Sequence, residues 1–306
     1  MSANRNLKLY FPNLNGLRFI AAFFVIINHK EQLKVFYHIV VGVISDLAKN
    51  IGKLGVMLFF VKSGFLIRYL LIAKERLFGF IPYICQVWSI STAAQAYVMW
   101  PVLLKKFKNH KWLLMIGIVV FYFSIRILLS NKLLPPIPGR DIINKFWIYF
   151  KIDSIAIGSI FAILILNKNN IVKYILGINF FYTVVFITIT LLIIGVRVPY
   201  FPYQFYSFLL GIIIVNLGVN SNLKNGLERK AINYLSKISY GIYRDHFLVL
   251  IPILIFVSNV KPDNNGIIYF LIFSITTAIL SLSYYFFETF FLKIKAKFAF
   301  IKSVKI

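Results

Sequence analysis

The sequence predicts an all-α protein, a polytopic membrane bundle of about 9–10 transmembrane helices. Hydrophobic residues make up 60% of the chain and the mean hydropathy is +0.81. Several apolar runs reach or approach the ~20 residues that cross a bilayer as a helix. These runs are continuous rather than alternating, which favours transmembrane helices over a transmembrane β-barrel.

The apolar segments follow one another along the whole chain. We expect helices at about 15–29, 54–74, 81–104, 112–130, 146–167, 171–196, 204–218, 236–257 and 266–292. A weaker apolar piece, 36–48, contains Asp46 and is expected to be a re-entrant or interfacial helix. The sequence shows no internal repeat, soluble domain or cleavable signal peptide, so residues 1–306 are predicted to form a single integral membrane domain.

The chain is strongly basic, with 34 Lys and Arg against 9 Asp and Glu and a formal net charge of +25. In a soluble protein this imbalance would indicate nucleic-acid binding. Here the cations cluster in short loops, as the positive-inside rule requires, so we expect membrane lipids as electrostatic partners and no nucleic acid. The single cysteine, Cys85, excludes an internal disulfide and a cysteine metal site.

The basic loops predict a topology. Basic residues are concentrated at 105–111, 168–173, 224–237 and 293–305, and are sparse in the loops between them. From residue 105 onward the basic loops are therefore expected in the cytoplasm, with the C-terminus inside. The first hundred residues do not fit this count, because three crossings from a cytoplasmic N-terminus would place 105–111 outside. Either 36–48 crosses the membrane or one span is missing.

One apolar segment carries two ionisable side chains at a spacing that places them on the same face of a helix. In NLNGLRFIAAFFVIINHK (13–30), Arg18 and His29 are eleven residues apart. Eleven residues are almost three helical turns, so both side chains are predicted on one face, roughly 16 Å apart along the axis. Ionisable groups in a membrane helix usually face the protein interior and mark a site. The alternative is that both are helix-end residues that snorkel to the two interfaces.

Five sequence blocks, in order along the chain, carry a family resemblance. They are Arg18-x10-His29, GKLGVMLFFVKSGFLI (52–67), KIDSIAIGSIFAIL (151–164), KISYGIY (237–243) followed by His246, and SYYFFETFF (283–291). Each block alone is a moderate signal, but together they cover most of the chain. The sequence therefore resembles the acyltransferase-3 family, integral membrane enzymes that O-acylate sugars and other surface molecules.

The resemblance implies a membrane O-acyltransferase of the bacterial inner (plasma) membrane. The implied donor is acyl-CoA, commonly acetyl-CoA, which is a substrate rather than a bound cofactor. The implied acceptor is a hydroxyl of a cell-envelope glycan or related molecule. Acyl transfer needs a base to take the hydroxyl proton, and histidine suits that role near neutral pH. We predict His29 as the general base and Arg18 as the group that holds an anionic part of the donor or stabilises the oxyanion.

The same blocks supply four candidates for binding the donor or the acceptor: Asp153, His246, Ser63 and Arg68. Asp153 lies in an apolar run, so its charge must be paired or neutralised, and a structural salt bridge to Arg18 or another buried cation is the alternative role. His246 either lines the site or is a helix-end histidine. The Ser-Gly pair at 63–64 is also typical of close helix packing. No spacing of His, Cys and Asp predicts a metal site.

The chain departs from the family's pattern in three places, one of which is the pair Arg244 and Asp245 before His246, where the family has apolar or aromatic residues. Residues 68–86 (RYLLIAKERLFGFIPYICQ) stand where the family has a basic stretch and a further helix, and Arg68, Arg76 and Pro82 are the remnants. In WSISTAAQAYVMWP (88–101), Ala93 occupies the family's acidic position.

These losses support an alternative function, that of a catalytically decayed relative with a structural or regulatory role in the membrane. A transporter is a third hypothesis, in which Arg18, Asp153 and His246 would form a path for protons or solute. The sequence shows no inverted repeat in its favour.

Overall fold

The structure is a computed structural model, and it describes most of the chain between residues 11 and 290. The described residues are 11, 13–36, 45–73, 87–130, 143, 147, 150–167, 170–196, 202–220, 223, 226–260 and 265–290. Across these ranges the regular secondary structure is entirely helical, with no strand, which confirms the all-α prediction.

Ten α-helices account for most of the described residues. They are α1 (Leu14–Phe36), α2 (Ser45–Ala73), α3 (Val87–Lys106), α4 (Lys111–Ser130), α5 (Ile152–Leu166), α6 (Ile171–Ile175), α7 (Ile178–Ile194), α8 (Pro202–Val219), α9 (Lys230–Val260) and α10 (Asn265–Ser283). A 3₁₀ turn, Gly226–Glu228, precedes α9. A π-helical segment, Tyr284–Glu288, follows α10 directly.

Two described helical stretches are long and apolar enough to cross a membrane, Lys111–Leu129 and Ile268–Phe286. The two arms of α9, Lys230–Tyr243 and Leu248–Phe256, meet the same requirement together but are bent by 84°. Three further apolar helices, α5, α7 and α8, are shorter. The chain is thus a helical membrane protein, while the total of nine to ten spans stays a prediction.

The helices group into two compact units. One unit comprises Met1–Gly55 together with Asn225–Ile306, and the other comprises Val56–Lys224. We call them the terminal unit and the central unit. The prediction of one domain over residues 1–306 stays a prediction.

In the terminal unit, α1 packs along α9, and α9 packs along α10. Close approach to α1 depends on two glycines of α2. A Cβ at Gly55 would lie 2.6 Å from the carbonyl oxygen of Ala21, and one at Gly52 would lie 2.2 Å from the Cβ of Asn28. Small residues let helix backbones come this close where lipid-facing helices gain little from hydrophobic burial against each other.

In the central unit, α5 is the buried helix around which its neighbours pack. Residues 152–164 are all buried, as expected of a helix that is apolar on every side. Gly64 of α2 faces α5, and Gly158 of α5 faces α2. A Cβ at Gly64 would lie 2.0 Å from the carbonyl oxygen of Ile155, and a Cβ at Gly158 would lie 2.1 Å from the carbonyl oxygen of Val61. The backbones of α2 and α5 are therefore in direct contact.

A buried hydroxyl group ties three helices of the central unit together. The indole Nε1 of Trp100, on α3, donates to Oγ of Ser159 at 2.9 Å. That hydroxyl lies 3.1 Å from the carbonyl oxygens of both Gly64 and Ile155. Since a serine hydroxyl has one proton, it donates to one of these carbonyls while it accepts from the indole.

The prediction of one continuous helix over 171–196 is wrong. Gly177 has an extended backbone (φ −60°, ψ 128°) and separates the short α6 from α7. Two amide side chains, one on α8 and one directly after its last residue, satisfy the carbonyls released at this break. Asn216 Nδ2 donates to the carbonyl of Ile175 at 2.8 Å, and Asn220 Nδ2 donates to that of Leu176 at 2.7 Å. Side-chain donors replace the lost helical bonds, which periodicity within 171–196 does not reveal.

The predicted re-entrant piece at 36–48 lies partly outside the described residues. Residues 45–48 form the first turn of α2, and 37–44 are not among those described. The re-entrant interpretation therefore stays a prediction, and so does the cytoplasmic placement of the basic loops.

Candidate functional site

Two histidines from distant parts of the sequence meet in the terminal unit. His29 of α1 and His246 of α9 have ring centroids 5.3 Å apart, with their planes inclined by 34°. The His246 side chain is fully buried and that of His29 is half-buried. The structure thus joins two residues that the sequence proposed separately, one as the base and one as a binding residue.

His246 lies at the bend of α9. Its Nδ1 is 2.9 Å from the carbonyl oxygen of Ile242 and 3.0 Å from that of Tyr243. Carbonyl oxygens only accept, so Nδ1 carries the proton, and the lone pair of the neutral ring is on Nε2. Pro252 lies within the second arm, where it removes one helical hydrogen bond, whereas the bend itself falls between Tyr243 and Leu248.

His29 has a comparable arrangement on α1. Its Nδ1 lies 3.0 Å from Oε1 of Gln32, one turn further along the same helix. An amide oxygen only accepts, so Nδ1 carries the proton here as well and the basic lone pair is on Nε2. A neutral histidine held in this tautomer is equipped to take a proton from a hydroxyl.

A buried ionic cluster follows His29 directly on α1. Lys30, Glu31 and Lys34 are buried, with Glu31 Oε1 at 3.4 Å from both ammonium groups. The hydroxyl of Tyr269, on α10, also donates to that carboxylate oxygen. The Lys30 ammonium lies over the Tyr269 ring, 2.8 Å from its centroid. This cluster links α1 to α10 one residue from the candidate base.

Arg18 is half-buried on α1, eleven residues before His29 and inside the same helix. The helix is continuous between them, so the expectation that both share one face agrees with its geometry. Whether Arg18 meets the donor stays a prediction.

Asp153 occupies a separate polar pocket in the central unit. It is buried in the first turn of α5, and it accepts a hydrogen bond from Nε2 of Gln204 at 2.6 Å. Arg126, Lys151 and Tyr203 line the same pocket. The cavity measures about 10 Å³, which is room for one water molecule at most. As it stands, this pocket does not admit a sugar or an acyl group.

The two cations of that pocket are covered by one aromatic ring. The Lys151 ammonium is 3.2 Å from the centroid of the Tyr203 ring, and the Arg126 guanidinium carbon is 4.9 Å from it. Cation–π contacts of this kind stabilise partly desolvated cations. Asp153 is thus surrounded by cations of its own unit, in keeping with its structural alternative.

The other predicted binding residues are less informative. Ser63 is half-buried beside Gly64, whose contact with Ile155 agrees with the helix-packing alternative. The side chains of Arg68 and Ala93 are outside the described ones. Among the described residues, no three His, Cys, Asp or Glu side chains are grouped to hold a metal ion.

Several residues of the terminal-unit site were not foreseen from the sequence. Lys30, Glu31 and Lys34 form a charged run at helical spacing after the apolar segment, which would have extended the predicted helix beyond residue 29. Tyr269 and Gln32 carry no such signal, because a lone tyrosine or glutamine occurs in many apolar helices.

Comparison with known proteins identifies a family for the chain. A family model described as an acyltransferase domain matches residues 71–286, more than two thirds of the chain. The matched range includes His246 and Asp153 and begins after α1, which carries Arg18 and His29. No curated protein and no solved structure matches the chain.

Proposed function

Because the chain belongs to the acyltransferase-3 family, we propose that it transfers an acyl group from acyl-CoA to a hydroxyl of a cell-envelope sugar. The family and the apolar helices make the protein a membrane acyltransferase. Four details belong to the proposal: the transferred group is acetyl, the acceptor is a glycan, His29 is the general base, and the protein lies in a bacterial inner membrane.

The observation that carries the proposal is the His29–His246 pair. Nε2 of neutral His29 takes the proton of the acceptor hydroxyl while that oxygen attacks the thioester carbonyl carbon. The carbon–sulfur bond then breaks, coenzyme A leaves as the thiolate, and the imidazolium proton passes to that sulfur. His29 is half-buried, so an acceptor can reach it. His246 is fully buried and packs against the His29 ring, which limits the orientations that this ring can take.

Arg18 has a supporting part in the proposal. A guanidinium group is charged at every physiological pH, and it binds planar or phosphate-bearing anions through several N–H donors. At roughly 16 Å along α1 from His29 it is too far away to touch the same atom. We therefore assign it to an anionic portion of the donor, distant from the thioester carbon, in preference to the oxyanion.

The decisive experiment compares His29→Ala with the wild-type chain in proteoliposomes supplied with labelled acetyl-CoA and mixed envelope sugars. Loss of a general base is expected to lower the transfer rate by about 10²–10⁴-fold. Phe256→Ala, which removes an exposed side chain of α9 outside the family blocks, is the control and should retain the rate. Wild-type turnover by His29→Ala, with the protein correctly inserted, would eliminate His29 as the base.

The acceptor is identified by mass spectrometry of envelope polysaccharide from cells with and without the gene. An acetyl mass increment that depends on the chain supports the proposed acceptor. Should neither this comparison nor the reconstituted assay show transfer, the decayed-relative alternative replaces the proposal.

A further inference from the structure

An apolar groove runs along the first half of α4 in the central unit. It has a volume of about 540 Å³ and is lined by Phe107, His110, Leu113, Gly117 and Phe121, among others. Leu113 and Phe121 are 67% and 56% exposed, so these side chains form walls rather than core. The helix belongs to a candidate membrane span of which only 11% is buried, so the groove faces the surroundings of the protein.

Gly117 forms the floor of this groove. A Cβ placed on Gly117 would meet nothing within 4 Å, in contrast to Gly158 on the helix packed beside it. The glycine therefore serves no helix contact inside the unit and leaves a notch between larger side chains. The stretch from Lys111 to Phe121 is roughly 15 Å long, which is half of the ~30 Å hydrocarbon thickness and thus the depth of one leaflet.

One end of the groove is strongly basic. The turn between α3 and α4 reads KKFKNHK (105–111) and has four lysines and no acidic residue. Lys106 and Lys108 are exposed there. The first amides of α4 add partial positive charge at the same end. Basic residues at the membrane surface attract anionic lipid headgroups, and an apolar cleft directly below them receives an acyl chain.

We propose that this groove is a binding site for an anionic phospholipid. The headgroup phosphate lies against Lys106 and Lys108, and one acyl chain lies in the groove over Gly117. The site is separate from the histidine pair and does not depend on the proposed acyl transfer. The charge complementarity at one end and the one-leaflet length together favour a phospholipid over a second copy of the chain.

The test is native mass spectrometry of the full chain, released from nanodiscs that contain phosphatidylglycerol and phosphatidylcholine in equal amounts. The wild-type chain should retain phosphatidylglycerol in preference to phosphatidylcholine. Gly117→Leu fills the notch from a position where a Cβ meets nothing within 4 Å, and it should weaken that retention by about tenfold or more. Val120→Leu enlarges an exposed apolar side chain of α4 outside the groove and should leave the retention of phosphatidylglycerol unchanged.

The charge component is tested by Lys106→Gln combined with Lys108→Gln, which should lower retention by about tenfold. The matched control combines Lys173→Gln with Lys237→Gln, exposed lysines elsewhere in the chain, and should retain the lipid. Equal retention by wild type and Gly117→Leu overturns the proposal. So does a wild-type dimer that Gly117→Leu converts to monomers without any loss of lipid, because the groove would then hold a second copy.

Discussion

The two units bury polar groups in different ways. In the terminal unit, two imidazole rings face each other beside an ionic cluster with two lysines and one glutamate. In the central unit, Asp153 accepts from Gln204 among two cations, and Ser159 is bonded to Trp100. The first arrangement offers basic lone pairs, whereas the second holds helices together. Burial of a polar group in an apolar helix therefore does not by itself mark a site of chemistry.

The largest expected effect is on the packing of the central unit. Gly158→Ala places a Cβ 2.1 Å from the carbonyl oxygen of Val61, and two backbones must separate to admit it. We expect a loss of about 4 kcal/mol or more in the free energy of unfolding, measured by denaturant titration in mixed micelles. Gly117→Ala is the matched control in open space and should stabilise α4 by up to about 1 kcal/mol. Equal stability of both variants would show that α2 and α5 do not touch.

Asp153→Ala tests whether the polar pocket of the central unit is structural. The variant removes the acceptor of Gln204 Nε2 and the carboxylate among Arg126 and Lys151. Leaving the buried amide of Gln204 without its acceptor costs about 1–3 kcal/mol, so the protein should unfold at lower denaturant concentration. Asp153→Asn keeps an acceptor oxygen for Gln204 and should therefore lose less stability than Asp153→Ala. A full loss of transfer activity at unchanged stability would instead place Asp153 in the chemistry and abolish the contrast between the units.

Tyr269→Phe probes the ionic cluster beside His29. It removes the hydroxyl donor to Glu31 but keeps the ring that covers Lys30. Removing one hydrogen-bond donor from a buried carboxylate should lower the free energy of unfolding by about 1–3 kcal/mol. Thermal unfolding of the purified protein measures this loss. Transfer activity should fall less than in His29→Ala. Tyr285→Phe alters an exposed tyrosine and serves as the control. No change in stability would mean that the cluster does not anchor α1 to α10.

The smallest expected effect is that of Ser159→Ala. The variant removes the acceptor of the Trp100 indole and should cost about 1 kcal/mol, because interhelical hydrogen bonds in membrane proteins are modest. Near-ultraviolet circular dichroism should report the altered Trp100 environment. Thr183→Ala, which removes an exposed hydroxyl of α7, should change neither signal. A loss as large as that of Gly158→Ala would show that this hydroxyl, rather than the glycine contact, joins the three helices.

Hydropathy was sufficient to locate most helices. The predicted segments 112–130 and 204–218 agree with α4 and α8 to within a few residues. Hydropathy did not reveal which apolar helix is buried, since α4 and α5 are both apolar and only α5 is enclosed. It also missed the break at Gly177, because the amides that stabilise it come from Asn216 and Asn220, some forty residues further along the chain.

The candidate site was predictable only in part. The eleven-residue spacing placed Arg18 and His29 on one face of a continuous helix, which the structure contains as α1. The encounter of His29 with His246 depends on how α1 packs against α9, and no periodicity within either helix encodes that distance. The ionic cluster was missed because the apolar run was ended at residue 29, although the helix continues to Phe36.

The 84° bend in α9 gives different directions to the two helical arms on either side of His246. The arms Lys230–Tyr243 and Leu248–Phe256 are roughly 21 Å and 14 Å long, so neither alone traverses a hydrocarbon layer of ~30 Å. With nearly perpendicular arms, whichever arm rises along the bilayer normal leaves the other lying almost flat. The two arms therefore cannot both follow the bilayer normal, and His246 lies where the chain changes direction between them.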